Sequence, residues 1–174
     1  MKEILQTNRL ILCEWSENDS SNLSLFLQDP EVMYAYEHGF SKEEVKAWLE
    51  WTLDSYKKNG YGLWAIISKE TNEVVGECGL TNQVIDQVTY CEIGYHLRKE
   101  FWHQGYAIEA AAAVKNYAFK SLGKEEVVSI VRDTNVPSMN VAIRNQMTIK
   151  KRVIKNYRGI AMPHYIFSVK RPIG

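Results

Sequence analysis

A glycine turn directly precedes a strongly helical segment in the stretch FWHQGYAIEAAAAVKNYAF, which begins at Phe101. Gly105 has no side chain, so its backbone N–H can approach a ligand closely. The first N–H groups of a helix point outward together, and the helix dipole adds positive potential there. The pattern predicts an anion site at Gln104–Ala107, although a glycine that only allows the chain to turn fits the same residues. No Gly-Lys-Ser/Thr follows and the Rossmann glycines are absent, so neither nucleotide motif applies.

Glu92 is the carboxylate best suited to act as a general base. It stands in the middle of the strand-like run VTYCEIGYHL (88–97), where a charge is costly unless it is used or solvated. Alternation puts Glu92 and His96 on one face of that strand, unless a bulge at Gly94 breaks the phase. An exposed sheet residue with its carboxylate in solvent is the alternative interpretation. Glu77, in GECGL, is the second candidate base.

The cysteines and histidines show neither a disulfide framework nor a metal-binding pattern. An odd number of scattered thiols, none of them in a C-x-x-C motif, predicts a reducing compartment. Three histidines lack ligand spacing, so we predict no metal centre. The residues concerned are Cys13, Cys78 and Cys91, and His96, His103 and His164.

Hydrophobic periodicity predicts strands and helices in a mixed order, which favours an α/β or α+β domain around one central sheet. Ser41 and Glu44 form a predicted capping box at the start of one helix. The predicted strands are 9–15, 62–69, 73–82, 88–97, 125–132, 148–155 and 162–170. The predicted helices begin near Asp19 or Ser20, at Asp29-Pro30, at Ser41, after Gly105 and in 134–146.

Length and composition predict one globular domain over residues 1–174, because 45% of the residues are hydrophobic and no repeat or linker interrupts them. Formal net charge is zero, so no global field favours nucleic acid or membrane. The basic residues of 144–158 fit a solvated strand edge. The N-terminus has no long apolar run and no segment is long enough to span a bilayer, so we expect no signal peptide and a cytoplasmic location.

The segment EIGYHLRKEFWHQGYAIEA (92–110) resembles the signature of the GNAT superfamily of acyl-CoA N-acyltransferases, with Trp102–Ala107 on its Q/R-x-x-G-x-G/A loop. The segment NVPSMNVAIRNQM (135–147) is similar to the N-x-x-S region of the branch that acetylates ribosomal-protein N-termini, the RimJ/RimL-like branch. TNRLILCEW, DPEVM, GLWAI and VVGECGL also look like that branch. The resemblance therefore covers nearly the whole chain in order, and it is specific for the superfamily rather than for a substrate.

The resemblance implies a GNAT-like fold, in which a central, mostly antiparallel sheet contains a splayed parallel strand pair and is flanked by helices. It implies acetyl-CoA as co-substrate, with pantetheine lying against the main chain of His96 and Leu97. Asn135 and Ser138 would flank the thioester and the pantetheine arm. The pyrophosphate would be held by the N–H groups of His103, Gln104, Gly105, Tyr106, Ala107 and Ile108.

The implied reaction moves acetyl to a primary amine by direct attack, since no paired histidine marks a cysteine as a nucleophile. Many superfamily members use a tyrosine of the last helix as the acid, and here Ala142 stands at that position. Ser138 is the substitute that this branch suggests, because a hydroxyl can donate a hydrogen bond to a developing thiolate. That Ser138 only caps or orients the helix is the alternative.

The loop departs from the family pattern at two further positions. Trp102 replaces the Q/R, and His103 replaces a common glycine. The His103 side chain is expected to narrow the space around the phosphates. The acceptor stays open between a protein N-terminus and a small amine such as a polyamine, an amino acid or an aminoglycoside. A homodimer also stays open. A non-catalytic acyl-CoA-binding or regulatory module is the second class of function. A nucleic-acid binder using Arg144–Arg158 is the third, and zero net charge argues against it.

Overall fold

The computed structural model describes residues 1–173, which contain one sheet of eight strands. The strands are β1 (Glu3–Gln6), β2 (Leu10–Glu14), β3 (Leu63–Ser68), β4 (Val74–Ile85), β5 (Val88–Leu97), β6 (Glu126–Arg132), β7 (Thr148–Tyr157) and β8 (Ile160–Lys170). Their order is β1-β2-β3-β4-β5-β6-β8-β7. Only β5 and β6 pair in parallel among these neighbours. The predicted mixed α/β architecture with one central sheet is confirmed.

Four α-helices flank the sheet in the described residues: α1 (Ser20–Leu27), α2 (Lys42–Asn59), α3 (Tyr106–Lys120) and α4 (Val136–Arg144). The capping box predicted for α2 is confirmed, because Ser41 accepts from the Glu44 N–H while the Glu44 side chain accepts from the Ser41 N–H. Pro137 lies in the first turn of α4, where its missing N–H costs nothing. No described helix is both long and apolar enough to cross a bilayer.

The helix predicted at Asp29-Pro30 is wrong. The chain makes a turn there and then a short 3-10 helix at Tyr34–Tyr36. The reason is a tertiary contact: the Phe40 N–H donates to the Leu27 carbonyl at 2.7 Å, so residues 28–39 fold back in a turn and a short 3-10 helix. The sequence reading also missed β1, a short strand whose apolar pattern is weak.

The pairing of β4 with β5 continues without a register shift from Gly76↔Leu97 to Ile85↔Val88. The bulge suggested at Gly94 is therefore wrong, because Gly94 stands directly opposite Gly79. The unbroken alternation keeps Glu92 and His96 on one face of β5.

The two largest apolar clusters lie on opposite faces of the sheet. On one face, the small residues Ala110, Ala111 and Val114 of α3 pack against the sheet cluster that contains Trp64 and Ile93. On the other face, α1 and α2 bury Leu23, Phe26, Leu27, Val45 and Leu49. The side chains of β5 thus alternate between the α3 face and the face covered by α1 and α2.

Candidate active site

A cavity of about 1210 Å³ lies between β5 and β6 and reaches the first turns of α3 and α4. Single-ligand sites usually measure roughly 300–1,000 Å³, so this cavity is larger than an ordinary site for one small ligand. Gln104 and the second candidate base, Glu77, lie outside its lining. The predicted residues that line it are Glu92, His96, Leu97, His103, Gly105, Tyr106, Ala107, Ile108, Asn135 and Ser138.

The cavity exists because β5 and β6 separate after a single register pair, Glu92↔Val128. Beyond that pair the Ile130 N–H donates to the Glu92 side chain at 2.9 Å rather than to the β5 backbone. The Ser129 hydroxyl donates to the Ile93 carbonyl at 3.3 Å. Side chains thus replace ladder hydrogen bonds at the fork, and the strand ends beyond it diverge.

The loop before α3 has the backbone of an anion site. Gly105 is the N-cap residue with φ 79°, and no side chain caps the helix. His103 is also in the left-handed conformation, with φ 62°. This conformation costs a residue with a Cβ about 1–2 kcal/mol. The first N–H groups of α3 therefore face the cavity without a side-chain acceptor.

Arg9, which the sequence reading did not single out, holds this loop in place. Its guanidinium donates to the Gln104 carbonyl at 2.9 Å and to Glu109 at 2.8 Å, and it lies 4.3 Å from the centre of the Tyr106 ring. Thr7 donates to Glu109 at 2.6 Å. Burial alone raises the pKa of Glu109, but the hydrogen bonds from Thr7 and Arg9 outweigh it and bring that pKa below its ordinary value.

Asn135, rather than Ser138, caps α4. The Asn135 side chain accepts from the Ser138 N–H at 3.2 Å, and Tyr95 donates to the Ser138 carbonyl at 2.9 Å. The capping interpretation of the Ser138 hydroxyl is therefore wrong. That hydroxyl lines the cavity and has no hydrogen-bond partner within residues 1–173.

Glu92 is partly buried at the fork rather than free in solvent, so the exposed-sheet interpretation is wrong. One carboxylate oxygen accepts from the Ile130 N–H, and the other accepts from the Thr81 hydroxyl at 3.4 Å. Burial raises the pKa of Glu92, and the hydrogen bond from Ile130 opposes that shift only in part. A carboxyl with a raised pKa is a better proton acceptor near neutral pH than an ordinary one.

Glu77, the second candidate base, is fully buried with a side-chain exposure of 0%, so it cannot reach a substrate in the cavity. Its Oε2 lies 3.0 Å from the His96 Nδ1 and accepts from the Trp48 indole N–H at 3.1 Å. Glu77 thus holds the side chain of His96, which lines the cavity. The sequence reading assigned His96 a main-chain role only.

Aromatic side chains form the wall on the α2 side of the cavity. Tyr36 meets the rings of Trp48 and Tyr157 edge-on, with centroids 6.5 and 5.8 Å apart. Arg132 lies beside them and pairs with Glu37 at 2.5 Å. The opposite end, at α3, carries backbone donors, so the two ends of the cavity differ in chemistry.

Comparison with known proteins identifies the chain's family. The model of the acetyltransferase (GNAT) domain family matches residues 9–148, which is most of the chain. The chain belongs to the GNAT acetyltransferase family. The loop before α3 and the fork between β5 and β6 are thus features of an acetyltransferase domain, and the predicted GNAT-like fold is confirmed.

Relatives and solved structures agree with this membership. The acetyltransferase is 32% identical to the uncharacterized protein YkkB of Bacillus subtilis, over 92% of this chain and 94% of that protein. It is 30% identical to the uncharacterized N-acetyltransferase p20 of Bacillus licheniformis, over 96% of each chain. The RimL ribosomal L7/L12 alpha-N-protein acetyltransferase in complex with coenzyme A has a similar fold. It has a TM-score of 0.80, 18% identity, and coverage of 97% of this chain and 98% of that one.

Proposed function

We propose that this GNAT acetyltransferase moves acetyl from acetyl-CoA to a primary amine by direct attack. The observation that carries the proposal is the single cavity that joins two unlike ends. The α3 end offers unpaired backbone N–H groups at Gly105 and beyond, which suit a pyrophosphate. The α2 end offers aromatic rings and a carboxyl at the fork, which suit an amine.

The co-substrate's contacts follow the cavity from α3 to the fork. The N–H groups of 103–108 would hold the pyrophosphate, and the main chain of β5 at His96 and Leu97 would lie against the pantetheine amides like a neighbouring strand. The Leu97 carbonyl itself accepts from the Trp102 indole N–H at 3.0 Å. Asn135 and Ser138, at the start of α4, would flank the pantetheine arm and the thioester. Arg9 supports this arrangement from outside the cavity, because it fixes the Gln104 carbonyl.

In this proposal the Ser138 hydroxyl donates a hydrogen bond to the sulfur as negative charge develops there. Its lack of a protein partner supports that role, because the hydroxyl is free to turn toward a ligand. Glu92 takes a proton from the attacking nitrogen, and its raised pKa supports that role. The cysteines support direct attack by the amine rather than transfer through an acyl-cysteine. Burial raises the pKa of both Cys78 and Cys91 and keeps their thiols un-ionised.

The acceptor is proposed to be a protein N-terminus, as in the RimJ/RimL-like branch, or a small amine. The fold likeness to RimL supports the first possibility, and the closed aromatic wall at Tyr36 and Tyr157 supports the second. An amine panel that includes short N-terminal peptides, spermidine and amino-acid amides separates them by the mass of the acetylated product.

We also propose that residues 1–174 are one N-acetyltransferase domain that works in the cytoplasm. The continuous sheet from β1 to β7 supports one domain, and three free cysteines support a reducing compartment. Three basic residues in and just after the edge strand β7 are paired with acids, which argues against a nucleic-acid partner: Lys150 with Glu126, Lys151 with Asp86, and Arg158 with Glu44. A homodimer is a separate prediction, tested by light scattering.

A non-catalytic acyl-CoA-binding module is the alternative, because Ala142 stands where a catalytic tyrosine is common and is 1% exposed. Thiol release from acetyl-CoA decides between the two. The acetyltransferase releases free thiol in proportion to added amine, whereas the binding module binds CoA and releases none.

A further inference from the structure

Glu77 is a buried carboxylate whose partners do not account for its burial. It has 0% exposure, its Oε1 has no hydrogen-bond partner, and its Oε2 contacts only the Trp48 indole and the His96 imidazole within the described residues. A charge in such a place is costly, and an apolar residue of similar volume often stabilises a core as well or better. Stability alone therefore does not explain a carboxylate here, and its one titratable partner is His96.

The hydrogen bonds around Glu77 fix the state of the imidazole. The indole N–H of Trp48 can only donate, so Oε2 acts as an acceptor. With Glu77 ionised, the His96 Nδ1 at 3.0 Å carries the hydrogen and donates it to the same oxygen. The other ring nitrogen, Nε2, then holds a free lone pair, which is the form of histidine that accepts a proton.

The imidazole ring is held between aromatic side chains and opens on the cavity. The rings of Phe26, Tyr36 and Trp48 lie with their centroids 6.4, 6.0 and 5.8 Å from the His96 ring. Nε2 is not among the buried unpartnered atoms, and His96 lines the cavity with 15% of its side chain exposed. The ring is thus fixed in direction while one nitrogen stays accessible.

Two acidic side chains lie on the sheet face that His96 occupies. Glu77 faces it from β4, and Glu92 lies on the same face of β5. Tyr36, on the 3-10 helix, is a further titratable neighbour with its ring centroid 6.0 Å from that of His96, and burial raises the pKa of Tyr36 so that it stays neutral.

We propose that His96, positioned by Glu77, takes the first proton from the acceptor while that acceptor is still an ammonium ion. The proposal rests on the proposed acetyl transfer and deepens it. The N–H bond of R–NH₃⁺ breaks, its electron pair stays on nitrogen, and the proton moves to Nε2, which gives R–NH₂ and an imidazolium beside the Glu77 carboxylate. The imidazolium later returns the proton to solvent. The second proton leaves the same nitrogen after attack, and Glu92 at the fork takes it.

Two proton acceptors are needed because an alkylamine reaches the site with one proton too many. With a pKa near that of lysine, about 10.4, roughly one molecule in two thousand is free base at neutral pH. An amine of low basicity arrives as free base and needs no first acceptor. The dependence of the rate on amine basicity therefore isolates the step assigned to His96.

The test uses ethylamine, 2,2-difluoroethylamine and 2,2,2-trifluoroethylamine, which are similar in size and fall in basicity in that order. The measured quantity is the ratio of kcat/KM between wild type and variant for each amine, so that the intrinsic reactivity of the amine cancels. The variants are His96→Gln and Glu77→Gln, checked by melting curves. His38→Gln is the matched control, because His38 also contacts a glutamate, Glu44, at 3.2 Å, but does not line the cavity.

We expect His96→Gln to lower kcat/KM at least about 100-fold with ethylamine, the low end for loss of a general base, and under about threefold with trifluoroethylamine. Glu77→Gln should show the same trend, with a smaller difference in the kcat/KM ratio between ethylamine and trifluoroethylamine. His38→Gln should show no such difference. An equal loss with all three amines would mean that His96 is structural, and would overturn the inference while wild-type turnover keeps the proposed function. No wild-type turnover with any of the three or with any member of the amine panel would contradict the proposed function itself and the inference with it.

Discussion

The guanidinium of Arg9 donates to the Gln104 carbonyl at 2.9 Å while its Nε contacts Glu109 at 2.8 Å. One side chain from the turn before β2 thus ties the loop in front of α3 to the first turn of that helix. Glu109, an acid in that first turn, is neutralised by the same contact. The N-terminus of α3 therefore keeps its attraction for an anion in the cavity.

Arg9→Ala is expected to weaken CoA binding about tenfold, or about 1.4 kcal/mol, because the loop loses its anchor and Glu109 loses its counter-charge. Calorimetric titration with CoA measures the change. Lys58→Ala is the control, since Lys58 forms an exposed ion pair with Asp54 on α2. If Arg9→Ala binds CoA within about twofold of the control, the anchoring role is contradicted.

Gly105→Val is expected to abolish CoA binding while the fold is retained. Gly60→Val is the matched control, because Gly60 has φ 78° and Gly105 has φ 79°, and both flank a helix. Both variants should lose about 1–2 kcal/mol of unfolding free energy to backbone strain, measured by denaturant titration. Only Gly105→Val should lose CoA, since a Cβ at Gly105 meets the Arg9 guanidinium at 3.4 Å and disturbs the loop in front of the α3 N–H groups, whereas a Cβ at Gly60 meets nothing within 4 Å. Equal CoA affinity in the two variants would remove the pyrophosphate from this loop.

Ser138→Ala is expected to lower kcat about 10- to 100-fold with CoA affinity and stability unchanged. This is less than the roughly 2.7–4 kcal/mol seen for a donor in a well-organised oxyanion hole, because a thiolate is a tolerable leaving group. Asn135→Ala supplies the contrast, since it removes the α4 cap and should cost about 1 kcal/mol of stability. Steady-state kinetics and melting curves on both variants check the pair. A Ser138→Ala enzyme with full kcat would take Ser138 out of the mechanism.

Glu92→Gln is expected to abolish most activity and to change how stability depends on pH. The folded protein holds the Glu92 proton more tightly than the unfolded chain does, because burial raises its pKa above 4.5. The stability linked to this proton is thus fully present below pH 4.5 and is lost as the pH rises through the folded pKa. The glutamine variant lacks that loss, so its Tm relative to wild type should rise from acid to neutral pH. A pH-independent difference in Tm would contradict the raised pKa.

Much of the fold was predictable because its signals are local. The capping box at Ser41 and Glu44, the alternation in β5 and the glycine before α3 each lie within a few residues. The helix expected at Asp29-Pro30 failed because a long-range bond from Phe40 to Leu27 limits the chain there to a turn. Propensity favoured a helix, and tertiary contact decided against it.

The residues of the candidate site also fall into a local group that the sequence predicts and a distant group that it does not. The loop before α3 is contiguous in sequence, so its residues were found together. The Arg9 and Glu109 pair is 100 residues apart in sequence, and the Glu77 and His96 pair is 19 apart on neighbouring strands. Those contacts depend on strand register, which one sequence does not reveal. The cap of α4 is local, but Asn135 and Ser138 are both residue types that cap helices, so the sequence left capping by Ser138 open as an alternative although Asn135 performs it.

The most direct test of the central claim follows the acetyl group itself. The protein is incubated with the amine panel and with acetyl-CoA that carries carbon-13 in the acetyl group. The masses of the products are then measured by mass spectrometry. The proposed function predicts labelled acetyl on the nitrogen of at least one amine, an equal amount of free CoA, and neither with Gly105→Val. CoA binding by the wild-type protein without any labelled amine or free thiol would contradict acetyl transfer and leave a module that binds acyl-CoA.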